Sequence, residues 1–170
     1  MGRVIRGETM KRQIKEDRRN NIEISWALYS PSEKIIENFF VDSTGQKPTK
    51  SDWQSISKVI SIIELGVTKF LDKEFVYARD EGHDRNDALT GIAEIDSTKY
   101  YDVIFPGMSG DVKDDGDYVI TTLTEEADDI VQNVISHLSR IETSSTIAQA
   151  LTSGWNLMFY VPADYYYANE

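Results

Sequence analysis

Ile22-Glu23-Ile24-Ser25-Trp26-Ala27-Leu28 alternates large apolar residues with polar or small ones, and the period changes immediately after it. Ile22, Ile24, Trp26 and Leu28 fall on one side of an extended chain and Glu23, Ser25 and Ala27 on the other, which predicts a half-buried strand. Ser30-Pro31 stops it and opens a helix, with Ser30 as the cap, Ile35, Ile36, Phe39 and Phe40 as the buried face, and Thr44-Gly45 as the end. The strongest helical signal follows. From a Ser51 cap to about Tyr77, Trp53, Ile56, Ile60, Ile63, Val67 and Phe70 recur at spacings of 3 and 4, and Ile62, Leu71 and Phe75 widen the stripe. A stripe of that width suits a helix lying on a sheet or bundle rather than a narrow two-stranded seam. Gly66 is its expected weak point, since glycine lowers helix stability.

Residues 79–87 read as a charged loop and 88–95 as a short helix. Residues 100–105 and 118–123, rich in aromatic and β-branched side chains, read as the arms of a long-tipped hairpin punctuated by Pro106-Gly107 and Gly116. Thr124 then caps a helix with acidic residues in its first turns and Ile130, Val131, Val134, Ile135, Leu138 and Ile141 as the buried set. A short helix from Thr146 to Leu151 and a last strand from Trp155 to Val161 complete the order. Strand and helix do not alternate strictly. The expected class is therefore α+β, a small sheet of about four mostly antiparallel strands covered by helices on one face, with an N-terminal helical arm. The expected organisation is a basic arm over 1–20, one domain over 21–163 and a tyrosine-rich tail over 164–170.

Charge divides the chain into two parts. Arg3, Arg6, Lys11, Arg12, Lys15, Arg18 and Arg19 face Glu8, Glu16 and Asp17, so positions 1–19 carry +4, and the remaining residues carry −15 of the total −11. An acidic body repels free nucleic acid, so the arm is the one segment expected to meet phosphates, and a protein partner is the better expectation for it. The arm has good helix formers from Glu8 to Glu16 but little apolar face beyond Met10 and Ile14, so such a helix gains order by docking. No cysteine is present, which removes disulfides, thiolate metal sites and a cysteine nucleophile. The basic N-terminus has no apolar stretch behind it, and Val59–Ile63 falls far short of the ~20 residues that cross a bilayer. A soluble protein, cytoplasmic or built into a virus particle, with no membrane partner is expected.

No motif identifies a reaction. His83-Asp84 is the pair used by metal-dependent phosphohydrolases, but those need an upstream histidine, and His83 and His137 are the two in this chain. Asp111, Asp114, Asp115 and Asp117 around Gly116 suggest a calcium loop, yet with Gly116 at the sixth position Lys113 occupies the third and Thr122 the twelfth, where oxygen ligands and a glutamate belong. An acidic tip that docks on a basic surface is the better reading. Pro106-Gly107-Met108-Ser109-Gly110 lacks the lysine and context of a phosphate loop. No catalytic, cofactor or metal residue is assigned. Tyr165, Tyr166 and Tyr167 join the arm and the acidic tip as interaction candidates, because tyrosine supplies contact area at low entropic cost. The leading expectation is a non-catalytic assembly subunit, and the alternative is an acidic inhibitor that covers a basic enzyme groove.

Overall fold

The computed structural model describes residues 21–84, 87–96, 113–114, 117–122, 125–141 and 143–163. The arm, the strand expected over 100–105, Asp111, Asp115 and the three tail tyrosines lie outside them.

Strand β1, Asn21–Tyr29, is where the alternation places it, and helix α1, Glu33–Thr44, follows. The cap is Ser32, whose Oγ accepts from the Ile35 amide at 3.2 Å, so the helix starts two residues later than Ser30 implied. Gly45 closes it in the left-handed region at φ 77°. Helix α2, Lys50–Glu74, opens with a reciprocal cap: Asp52 N–H donates to Thr49 Oγ1 at 3.1 Å and Thr49 N–H donates to Asp52 Oδ2 at 2.9 Å. Thr49, not Ser51, is therefore the cap.

The largest departure from expectation comes next. Residues 79–87 and 88–95, read as loop and helix, are instead the hairpin of β2, Tyr77–His83, and β3, Leu89–Asp96. The two-residue strand β4, Lys113–Asp114, pairs with β5, Tyr118–Thr122; then come α3, Glu125–Ser139, α4, Ser145–Ala150, and β6, Asn156–Pro162. All strand pairs are antiparallel, in the order β2-β3-β1-β6-β5-β4. The class is α+β as expected. The sheet is larger than expected, with five strands of five residues or more and the short β4 at one edge.

Register explains which side is buried. Ile24 faces Ala93, Trp26 faces Gly91 and Phe159, and Leu28 faces Leu89 and Leu157, while Val119 faces Val161 and Ala78 faces Ala93. These side chains join Ile36, Phe40, Ile56, Val59, Ile63, Val67, Leu71, Val131 and Ile135 in one core, so the helices cover one face of the sheet. Ile35, Ile130 and Ile141, expected in that core, are 51%, 50% and 38% exposed. Ile35 and Ile130 lie beside buried Ile36 and Val131 on α1 and α3, whose buried stripes are narrower than the run of apolar letters, and Ile141 lies past the end of α3.

Gly66 is a point of contact rather than weakness. A Cβ there would overlap Leu138 Cδ1, so the glycine lets α2 and α3 approach closely. Thr121 of β5 is fully buried opposite Phe159 of β6, and its Oγ1 finds no hydrogen-bond partner among the described residues. Replacing that hydroxyl with a methyl removes a desolvated polar atom at nearly constant shape. Thr121→Val is expected to raise stability by about 1 kcal/mol in urea unfolding, with an unchanged m-value.

Candidate functional site

Two groups of residues stand out from the packed body, and both involve the β2–β3 hairpin. A bulge between Asp80 and Gly82 bends β2, and Gly82 takes φ 112° there, with its amide donating to Asp80 Oδ1 at 2.6 Å. The turn is closed by Asp84 N–H to Ala88 O at 3.0 Å and Ala88 N–H to Asp84 Oδ1 at 3.1 Å. The bulge carries His83 toward α2, where Nε2 lies 2.9 Å from Oε2 of Glu64.

Glu64 is buried at a position of the α2 stripe that otherwise takes Ile60, Ile63, Val67 and Leu71. The hydrogen bond to Glu64 raises the His83 pKa above its ordinary 6.5 against a smaller opposing effect of burial, and the charges of Glu64, Asp80 and Asp87 add to the rise. The pair clasps the edge hairpin to the helix layer. Its contribution is fully present below the unfolded-state pKa near 6.5 and is lost as pH rises through the higher folded-state value. Because the His83 side chain is 51% exposed, solvent screening limits the effect to at most about 1 kcal/mol. An NMR titration is expected to place the His83 pKa above 6.5, and Glu64→Gln to bring it down.

The second group is the sheet face opposite the helices. Glu23, Ser25 and Ala27 of β1 point there, and register sets Glu23 against Glu94, Ser25 against Ile92 and Tyr160, and Ala27 against Thr90 and Met158. A concavity of about 360 Å³ opens on this face, lined by Ser25, Ala27, Glu81, Asp84, Thr90, Ile92 and Tyr160. Ser25, Ala27, Thr90 and Ile92 lie between Tyr160 of β6 on one side and Glu81 and Asp84 of the hairpin on the other. Arg79 pairs with Glu81 and lies 5.9 Å from the centroid of the Tyr77 ring. The hydrogen bond that Arg79 donates to Glu81, with a second donated to Tyr77, raises the Arg79 pKa.

Of the interaction residues expected from sequence, Asp114 and Asp117 fall in the described part. Asp114 belongs to β4, and exposed Asp117 accepts the Ala163 amide on its carbonyl at 3.0 Å. Glu81, His83 and Asp84 lie in the stretch 79–87 whose sequence reads as a charged loop, and nothing in that stretch itself points to Glu64. The available signal was Glu64 itself, a carboxylate inside an apolar stripe.

Among the described residues no three His, Asp or Glu side chains converge as a metal-holding group. Nor is any described helix long and apolar enough to cross a membrane. No protein-family model, curated protein or solved structure matches the chain.

Proposed function

We propose that this chain is a non-catalytic assembly subunit, in which the basic arm of one copy grips the acidic body of a neighbour. The observation that carries the reading is the pairing of a +4 segment with a −15 remainder in one chain. Among the described residues the helices pack on one face of the sheet and Glu23 stands opposite Glu94 on the other, which supports it. An arm-to-body contact is heterologous, so repetition of it closes into a ring or continues as a filament. A ring component of a tailed phage particle, such as a connector or tail terminator, fits that geometry, and an acidic lumen would not hold passing DNA phosphates.

Deleting residues 1–19 tests the proposal. Light scattering after size exclusion is expected to show loss of the assembled species, while far-UV circular dichroism keeps the signature of the α+β body. Assembly that persists in the truncated protein would overturn the arm as the grip.

The acidic hairpin, with Asp80, Glu81, Asp84 and Asp87 close together, favours one second reading, an inhibitor that covers a basic nucleic-acid groove. That reading calls for a monomer or dimer whose inhibition survives the same deletion.

A further inference from the structure

We infer that the free edge of β2 is a strand-pairing surface held shut from within the fold, where Asp72 and Asp80 occupy backbone amides that the β2 of a second copy would otherwise bond.

Among the described strands β2 stands at the end of the sheet, with β3 as its single neighbour. Tyr77, Arg79, Asp80 and Glu81 are exposed along it. An edge of that kind offers a row of amide and carbonyl groups to any extended chain that lies beside it.

Two of those amides are already taken, and by carboxylates rather than by β3. Ala78 stands opposite Ala93 of β3, yet its N–H turns away and donates to Asp72 Oδ1 of α2 at 3.1 Å. Strand amides point to the two sides in alternation, so this one belongs to the row that faces away from β3. Gly82 N–H donates to Asp80 Oδ1 at 2.6 Å, beside the bulge that bends the strand. Bulges and edge charges both hinder the addition of a further strand. With Glu64 bonded to His83, α2 holds β2 near both of its ends.

A second copy is the occupant because the strand complements itself. Arg79 and Glu81, paired within one chain here, flank Asp80. An antiparallel β2 centred on Asp80 therefore sets Arg79 of each copy opposite Glu81 of the other. Asp80 is the exception, since it would meet its own counterpart, and like charges directly opposite each other destabilise a pair. Asp80 thus opposes pairing twice, through the Gly82 amide and through its charge.

The test removes both carboxylates from the full-length chain, Asp72→Ala with Asp80→Ala, in salt high enough to weaken arm-to-body contacts. Sedimentation velocity over a range of concentrations is expected to show self-association at least about tenfold tighter than that of the parent. Hydrogen exchange over Tyr77–His83 is expected to be faster than in the parent when the variant is dilute, and to slow as it is concentrated. Asp72→Asn with Asp80→Ala keeps an oxygen that accepts the Ala78 amide, so it should associate far less than the double alanine variant. Equal association of the two variants would overturn the role of the occupied amide. A double alanine variant that stays in the parental state would overturn the pairing surface, as would association that leaves exchange over Tyr77–His83 unchanged. Aggregation with loss of a cooperative melt would show that the carboxylates hold the fold itself, and would overturn it too. Each of these failures leaves the assembly reading standing, because the arm takes no part in the device.

Discussion

Gly91→Ala is expected to lower stability by about 3 kcal/mol, at the upper end of what overpacking usually costs. A Cβ on Gly91 would overlap the Arg79 carbonyl oxygen on one side and the Trp26 indole on the other. Neither obstacle yields easily. The carbonyl belongs to the backbone of β2, and Trp26 is 1% exposed in the core. Relief has to come from β2, which as an edge strand has a single strand neighbour, β3. The substitution should therefore lower the melting temperature by roughly 6–12 °C and speed amide exchange in Tyr77–His83 more than in β6. A variant as stable as the parent would mean that the Trp26 ring does not lie against Gly91. Gly66→Ala makes a useful contrast, because its obstacle is the end of the flexible Leu138 side chain and alanine restores about 1 kcal/mol of helix propensity. Its net cost should be smaller than that of Gly91→Ala.

Phe159→Ala is expected to be costlier still, at about 3–5 kcal/mol. Phe159 has no exposed surface, faces Trp26 across one strand pair and Thr121 across the other, and meets Phe75 edge to face at 5.9 Å between centroids. Phe75 follows the last residue of α2, so this ring joins the end of the long helix to the strand beside β1. Truncation removes the transfer free energy of the ring, leaves a cavity and loses the aromatic pair. Domains of this size are stable by only about 5–15 kcal/mol, so a substantial share of the total would go. Phe159→Leu, which keeps most of the volume, should cost under about 1.5 kcal/mol if the position tolerates repacking. Urea unfolding midpoints measured on the three proteins side by side check both figures.

The strands and helices that sequence reveals here are those with one wet and one dry side. In β1, Ile24, Trp26 and Leu28 are buried while Glu23 and Ser25 are exposed, so the alternation survives in the letters. β2 has no such pattern, because an edge strand gains protection from charge, and Arg79, Asp80 and Glu81 are all exposed. β3 lacks the pattern for the opposite reason. Its core-facing positions include Gly91 and Ala93, kept small where Trp26 and the helix layer crowd them, and small residues carry little period. The acidic character of the body was legible from composition. The pairing of Glu23 with Glu94 was not, since it exists only once β3 is a strand lying beside β1.

Glu64 is committed to His83 within the fold, and neutralising it should alter the His83 titration and the hold on the hairpin.

Native mass spectrometry of the full-length chain at low and moderate salt tests the central claim most directly. The arm-to-body account predicts a defined ring, or a ladder of oligomers, that dissociates as rising ionic strength shortens electrostatic reach toward about 8 Å. A salt-insensitive monomer would contradict it.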